Sequence, residues 1–119
     1  KGAKFVIISL GGEGLIATTE KAVIRMPAFR VPVIDPTGAG DAFCAGVIRS
    51  LVRVAGQERL EISELSVDEL VHVLLEGEAA GAACVTMVGT TTAVTKENLD
   101  KLLKDQASTV LNGLHLGNL

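Results

Sequence analysis

The stretch with the strongest potential for chemistry is residues 33–48, with the sequence VIDPTGAGDAFCAGVI. It begins as a short apolar run, breaks at Asp35-Pro36, and continues after residue 40 with small and apolar residues at helical spacing. This order predicts a strand, a tight turn and the N-terminus of a helix. The first amides of a helix lack internal acceptors and carry a partial positive charge, so they can hold an anion. Small residues at positions 38 to 40 let a phosphate approach the backbone closely.

Asp41 lies in the first turn of this predicted helix. A carboxylate next to a phosphate site repels the phosphate, which makes sense if the carboxylate takes a proton from a hydroxyl that attacks the phosphoryl group. An aspartate in a first turn also stabilises the helix dipole without any catalytic role. From the spacing alone, both interpretations of Asp41 stay open.

Residues 35–48 resemble the C-terminal signature of the ribokinase-like, phosphofructokinase B type (PfkB) carbohydrate kinases. The resemblance implies that Asp41 is the catalytic base of a kinase. It implies that the backbone amides of Ala39, Gly40 and Asp41, which follow Gly38, form an anion hole for the transferred phosphoryl group. It also implies ATP and Mg²⁺ as cofactors and a sugar, a sugar phosphate or a related alcohol as substrate.

A second glycine segment, residues 9–14 (SLGGEG), follows a predicted strand. By itself it is a plain turn, because its glycines do not have the spacing of a dinucleotide-binding motif. The segment resembles the part of the same kinases that lies along ATP. The resemblance implies nucleotide contacts from Ser9, Gly11, Gly12 and Gly14.

Residues 78–90 resemble the family's alanine-rich helix and the glycine loop that border the adenine, which implies contacts from Glu78 and Gly89. Many relatives have Asn or His at the position of Glu78, so an acid there departs from the pattern. From the residues alone, the small side chains at 79–84 indicate tight helix packing. In some relatives the residues that match Asp35 and Thr37 lie around a monovalent cation, which implies a K⁺ site here.

The composition of the 119 residues fits one domain with a buried core. Hydrophobic residues make up 48%, the mean hydropathy is +0.43, and the only aromatic residues are three Phe. This composition is typical of sheets covered on both faces by helices, and it indicates a surface that further protein covers. The net charge of −3 and the absence of a basic stripe predict no nucleic acid partner. No apolar run is long enough for a membrane span and no signal peptide is recognisable, so we expect a cytoplasmic protein.

The remaining reactive side chains are few. Cys44 and Cys84 lie in predicted helices among small apolar residues, so we expect two buried free thiols. His72 and His115 stand alone without the spacing of metal ligands, which favours structural or surface roles.

The pattern predicts strands at residues 3–10, 15–19, 22–26 and 31–34, and helices at 38–54, 67–85 and 96–104. Ser66 and Glu69 have the spacing of a capping box at the start of the second helix. We expect an α/β fold, the C-terminal portion of a ribokinase-like three-layer α/β/α sandwich. Residues 1–106 form its nucleotide-binding and catalytic part, and residues 107–119 a C-terminal tail.

The resemblance covers only the C-terminal part of such kinases, whose members are typically more than twice this length. We therefore expect a fragment, inactive by itself, that binds its missing N-terminal half or forms a homo-oligomer. A second class of function also stays open, a non-catalytic nucleotide-binding or subunit-interaction module of the same fold. ATP binding without turnover would separate the module from the kinase.

Overall fold

The computed structural model describes residues 5–55, 65–87 and 94–118. Within these ranges the elements follow in the order β1 (Phe5–Ser9), β2 (Leu15–Thr19), β3 (Ala22–Met26), α1 (Ala39–Ala55), α2 (Val67–Cys84), α3 (Lys96–Asn112) and β4 (His115–Asn118). One turn of 3-10 helix, Gly11–Glu13, connects β1 to β2. The chain has the predicted α/β class. Among its described helices, none combines the length and the apolar character that crossing a bilayer requires.

The strands form one antiparallel sheet in the order β1-β2-β3-β4. The predicted hairpin of β2 and β3 is confirmed, with Glu20 and Lys21 in its turn. Thr19 closes this turn, because its Oγ1 accepts hydrogen bonds from the N–H groups of Lys21 and Ala22 at 3.0 and 3.1 Å. The far side of β3 pairs with β4, so residues that follow α3 complete the sheet.

The described core lies on one face of this sheet. Side chains alternate between the two faces of a strand, and Leu15, Ala17 and Ile24 on the inner face are almost completely buried. On the outer face, Val6 and Ile8 are 42% and 56% exposed. Apolar side chains of all three helices join the inner core. The described residues therefore form a sheet and one layer of helices, a part of the predicted sandwich.

The helices α1 and α2 cross at very short range because glycines lie at their contact. A Cβ atom at Gly46 would lie 2.9 Å from the Ala80 methyl group, and one at Gly77 would lie 2.5 Å from a methyl group of Val47. Carbon atoms do not approach this closely without displacement of a neighbour. The small residues of α2 thus serve the tight helix packing that their pattern predicts.

Side-chain caps fix where α2 and α3 begin. The predicted capping box of α2 is confirmed, because the Ser66 hydroxyl accepts the N–H of Glu69 at 3.1 Å and the Glu69 carboxylate accepts the N–H of Ser66 at 2.9 Å. Thr95 is the N-cap of α3, since its hydroxyl accepts the N–H of Asn98 at 3.1 Å.

The helix α3 continues to Asn112, although its amphipathic pattern predicts an end near residue 104. Tertiary contacts explain the extension. Gln106 forms two hydrogen bonds of 2.7 Å with the backbone of Arg30, and Val110 is buried in the core. The described residues of the predicted tail, 107–118, are therefore not a separate segment but the end of α3 and the strand β4.

The strand predicted at residues 31–34 is wrong. Pro32 has no N–H for a ladder, and the N–H of Ile34 donates to the Val85 carbonyl beyond the end of α2 instead, at 2.7 Å. The burial predicted for Cys44 is also wrong, because its position on α1 lies on the exposed face with Ile48 and not on the face toward α2. Cys84 is buried as predicted.

Candidate active site

The loop before α1 is attached to the C-terminal end of α2 by hydrogen bonds. The N–H groups of Ile34 and Asp35 both donate to the Val85 carbonyl, at 2.7 and 3.1 Å. The Cys84 thiol donates to the carbonyl of Thr37, with a sulfur–oxygen distance of 3.4 Å. Within the loop, Oδ1 of Asp35 accepts the N–H of Thr37 at 3.0 Å and forms a local turn. These bonds determine where α1 begins and in which direction its first amides point.

The N-terminus of α1 has two amides available to a ligand. Gly38 precedes the helix with a φ of 81°, a conformation that favours glycine. The N–H of Ala39 donates to the Pro36 carbonyl at 3.3 Å. Among the described residues, the N–H groups of Gly40 and Asp41 have no acceptor. Unpaired amides at a helix N-terminus attract anions, so of the three amides predicted to form an anion hole, these two remain available to a ligand.

The side chain of Asp41 is exposed beside these amides. Its charge acts on Cys84: burial raises the pKa of this thiol, and the carboxylates of Asp35 and Asp41 raise it further. Cys84 is therefore a neutral hydrogen-bond donor and not a nucleophile. Asp41 itself is a solvent-accessible carboxylate beside unpaired helix N–H groups, an arrangement that suits the removal of a proton from an attacking hydroxyl.

A cavity of about 600 Å³ lies beside the N-terminus of α1. Small-molecule sites typically have volumes of about 300–1,000 Å³. The cavity brings together residues from both glycine segments and from α2. Of the residues that the sequence analysis names, the ones that line it are Ser9, Gly11, Gly12, Ala39, Gly40 and Glu78. Asp41 follows Gly40 in α1 but does not line the cavity itself.

The glycines between β1 and β2 differ in their surroundings. A Cβ atom at Gly11 or Gly12 would have no heavy atom of another segment within 4 Å, so both positions leave open space at the cavity. Gly14 does not line the cavity. Its φ is 97°, and a Cβ atom there would lie 1.9 Å from the carbonyl oxygen of Met26. Gly14 therefore allows the close approach of this connection to the end of β3. Gly89, also predicted to contact the nucleotide, lies outside the described residues.

Glu78 on α2 is a carboxyl group with only 9% of its surface exposed. Among the described residues it has no hydrogen bond or ion pair. Burial raises the pKa of Glu78 from 4.5 to about 7, because a charge is poorly solvated at this position. The cavity thus contains one acid that is largely neutral below neutral pH.

Sequence reasoning missed the wall that the segment after β3 contributes. The residues of this wall are Pro27, Ala28, Phe29, Arg30, Val31 and Val33. The available signal was the pair Pro27 and Pro32, because two prolines in a short apolar run favour an extended loop over a strand in a sheet. Phe43 on α1 and Gly81, Ala82 and Val85 near the end of α2 complete the lining.

The predicted cation site is only partly described. Asp35 and Thr37 are joined through their local turn, and the Thr37 carbonyl already accepts the Cys84 thiol. Residues 88–93 lie outside the described residues. Within the described ranges, no group of three or more His, Cys, Asp or Glu side chains is arranged to hold a metal ion.

Comparison with known proteins places this geometry in a family. The model of the pfkB family carbohydrate kinases matches residues 1–97. The chain is 36% identical over 93 residues to the aminoimidazole riboside kinase of Salmonella typhimurium, covering 78% of this chain and 27% of that protein. It is 46% identical over 50 residues to a fructokinase of Rhizobium leguminosarum bv. trifolii, covering 42% of this chain and 15% of that one.

Solved structures give the same result for the fold. The aminoimidazole riboside kinase from Salmonella enterica, complexed with aminoimidazole riboside and an ATP analogue, superposes with a TM-score of 0.72 at 34% identity, over 86% of this chain and 32% of that one. A fructokinase from Vibrio cholerae with fructose, ADP and calcium bound gives a TM-score of 0.70 at 26% identity, over 84% and 30%. The chain therefore spans about a third or less of the length of these relatives.

Proposed function

Because the chain belongs to the pfkB family of carbohydrate kinases, we propose that the whole protein uses ATP to phosphorylate a hydroxyl of a sugar, a sugar phosphate or a related alcohol. In this proposal the described residues supply the nucleotide cavity and the catalytic helix end. The observation that carries it is the exposed carboxylate of Asp41 beside the unpaired N–H groups of Gly40 and Asp41, at a helix N-terminus that borders a cavity of about 600 Å³.

The proposed roles follow from charge. Phosphoryl transfer spreads negative charge over the equatorial oxygens of the transferred group, and catalysis consists mostly of positioning and electrostatic stabilisation. The amides of Gly40 and Asp41 would donate hydrogen bonds to these oxygens. The carboxylate of Asp41 would accept the proton of the attacking hydroxyl, which increases its nucleophilicity. The attachment of residues 34–37 to the end of α2 keeps both groups in place.

The cavity fits an adenine nucleotide in chemistry as well as in size. Gly11 and Gly12 leave their backbone accessible, and Phe43, Ala82 and Val85 present apolar surface to a flat ring. Relatives were solved with an ATP analogue and with ADP. These observations support ATP as the phosphoryl donor of this protein.

Magnesium is the expected companion of ATP, since it neutralises phosphate charge. Mg²⁺ in such sites is held by one or two carboxylates together with the phosphates, so a cluster of three acids is not required. We assign none of the described residues to Mg²⁺, and we assign to Asp35 and Thr37 a share in a K⁺ site.

The acceptor is proposed only as a class. The two relatives are named as kinases of aminoimidazole riboside and of fructose, and both of these substrates are polyhydroxylated small molecules. The described cavity is assigned here to the nucleotide, and we assign none of its lining residues to the choice of acceptor.

Replacing Asp41 by Asn in the whole protein tests the catalytic proposal. The amide keeps the shape of the side chain but cannot accept the proton, so we expect kcat to fall by at least about a hundredfold. ATP affinity should hold or improve, because a negative charge near the phosphates is removed. ADP production in the presence of a panel of sugars and nucleosides measures kcat, and calorimetry measures ATP binding.

Asp68→Asn is the matched control, because Asp68 is also an exposed aspartate in the first turn of a helix, α2. Both substitutions weaken a helix-dipole interaction by about 0.3–1 kcal/mol. If Asp41→Asn changes only stability, by the same amount as Asp68→Asn, and leaves turnover within a few-fold of wild type, Asp41 is not the base. ATP binding without turnover by the wild-type protein would favour the non-catalytic module.

A further inference from the structure

The wall after β3 is attached to α3 by two hydrogen bonds at Arg30. The N–H of Arg30 donates to the side-chain oxygen of Gln106, and the side-chain amide of Gln106 donates to the Arg30 carbonyl, both at 2.7 Å. Among the described residues, the backbone of residues 27–33 forms no other hydrogen bond. A glutamine amide offers both a donor and an acceptor, so it satisfies both backbone groups of a residue that lies outside strands and helices. Gln106 therefore fixes the position of Arg30.

The residue before Arg30 anchors the same segment in the core. Phe29 is 6% exposed and belongs to the core cluster, whereas Arg30 is exposed and lines the cavity. The burial of Phe29 and the hydrogen bonds of Gln106 together hold the backbone of Arg30 before any ligand binds. A side chain on an ordered backbone loses less conformational freedom on binding than one on a disordered backbone. The wall therefore presents a preorganised cation to the cavity.

Arg30 is the only lysine or arginine among the described residues that line the cavity. No described residue forms an ion pair with its guanidinium group. An unpaired guanidinium presents five N–H donors in a planar fork, and this geometry fits the oxygens of a phosphate group. The cavity therefore offers one charged partner to phosphates, in addition to the N–H groups of Gly40 and Asp41 at the start of α1.

We infer that Arg30 pairs with the phosphates of the bound nucleotide, and that Gln106 is a positioning residue that holds Arg30 in reach of them. This inference rests on the proposed nucleotide site. The negative charge of a nucleotide is carried by its phosphates, and hydrogen bonds between a guanidinium and phosphate oxygens are roughly twice as strong as those between neutral groups. Gln106 does not line the cavity itself, so it acts only through Arg30. The second half of α3 thereby contributes to nucleotide binding.

Two other partners of the Arg30 guanidinium predict different results. A cation over the face of the base gains a cation–π attraction, which would contribute equally to the binding of ATP and of adenosine. An ion pair with Glu13, an exposed acid of the same lining, would contribute little to the fold and nothing to the nucleotide. Only pairing with phosphates makes the contribution of Arg30 depend on the presence of phosphates in the ligand and on ionic strength.

The first test is displacement of a fluorescent ATP analogue from the whole protein by ATP, ADP and adenosine. Arg30→Met keeps an unbranched side chain without the charge, so it should weaken ATP and ADP binding about tenfold or more and leave adenosine within about twofold. Arg30→Lys keeps the charge without the planar fork and should retain part of the affinity. The loss in Arg30→Met should shrink as ionic strength rises. Arg25→Met is the matched control, because Arg25 is exposed on β3 and does not line the cavity.

A double-mutant cycle tests the positioning role of Gln106. Gln106→Met removes both hydrogen bonds at Arg30 and leaves the cavity lining unchanged, so it should weaken ATP binding several-fold. The double variant Arg30→Met/Gln106→Met should bind ATP like Arg30→Met alone, because Gln106 has nothing to position once the guanidinium is removed. A purely structural role of Gln106 would instead add its loss to that of Arg30→Met. Lys104→Met, on an exposed position of α3, is the control and should follow wild type.

The outcomes distinguish this inference from the function on which it rests. Unchanged ATP affinity in Arg30→Met, or equal losses for ATP and adenosine, overturns the role of Arg30 and leaves the kinase proposal intact. Losses that add in the double variant overturn the role of Gln106. If wild type binds neither ATP nor its fluorescent analogue, the nucleotide site itself is overturned. Arg30→Met changes an exposed side chain, so it decides the phosphate contact even if Gln106→Met does not fold.

Discussion

The burial of Glu78 has a measurable effect on folding in the absence of any ligand. Its pKa is 4.5 in the absence of burial and about 7 in the fold, and one pKa unit corresponds to about 1.4 kcal/mol. Ionising Glu78 in the folded protein therefore costs about 3 kcal/mol more than ionising it in the unfolded chain. The folded state keeps the proton to higher pH, so the contribution of Glu78 to the free energy of unfolding falls as the pH rises from about 4.5 to about 7.

Replacing Glu78 by Gln removes this titration and keeps the size of the side chain. Relative to wild type, we expect the Gln variant to gain stability on the order of 2–3 kcal/mol between pH 5 and pH 8, with most of the gain below pH 7. Urea unfolding at pH 5, 6, 7 and 8 measures the free energy of unfolding, and equal m-values at each pH confirm that the same transition is compared. Glu20→Gln in the exposed turn between β2 and β3 is the control, because it removes an acid without changing the core.

A constant stability difference between wild type and Glu78→Gln from pH 5 to pH 8 would refute the reasoning. It would mean that Glu78 is solvated or paired in the fold and that burial does not raise its pKa. A pH-dependent difference that Glu20→Gln reproduces would assign the effect to net charge and not to burial.

Two further predictions concern single positions. Gly14→Ala should reduce the free energy of unfolding by at least about 2 kcal/mol, because it combines a φ of 97° with a Cβ atom 1.9 Å from a backbone oxygen. Gly12→Ala places its methyl group in open space and should stay within about 0.5 kcal/mol of wild type. Equal urea midpoints of the two variants would contradict the close packing described at Gly14. Ser66→Ala removes the capping box of α2 and should lower the free energy of unfolding by about 1 kcal/mol. The control Ser108→Ala, on the exposed face of α3, should lower it by less than half of that amount, as measured by the same urea titration.

Local patterns predicted the elements whose stabilising contacts are local. The hairpin of β2 and β3 depends on alternation and on a turn that Thr19 closes two and three residues away. The capping box of α2 depends on Ser66 and Glu69, three residues apart. The start of α1 was readable for the same reason, because Gly38 and the following residues determine it within one turn.

Elements that depend on distant partners were not predicted. Nothing near Ile34 in the sequence indicates that its N–H is taken by Val85, about fifty residues later, so an apolar run was interpreted as a strand. The second half of α3 likewise depends on Gln106 pairing with Arg30, and β4 on pairing with β3. In the candidate site, the motif residues were predicted by resemblance, but the burial of Glu78 and the wall after β3 required the tertiary structure.

The short crossing of α1 and α2 restricts how this protein can diverge. A side chain added at Gly46 meets Ala80, and one added at Gly77 meets Val47, so a larger residue on one helix is tolerated only if the facing residue becomes smaller or the helices separate. Separation would move Val85 and the loop before α1, and with them the amides beside Asp41. Substitutions across this crossing should therefore be accepted in pairs and show strong non-additivity, and lineages that change one helix alone should first lose the arrangement of the proposed catalytic helix end.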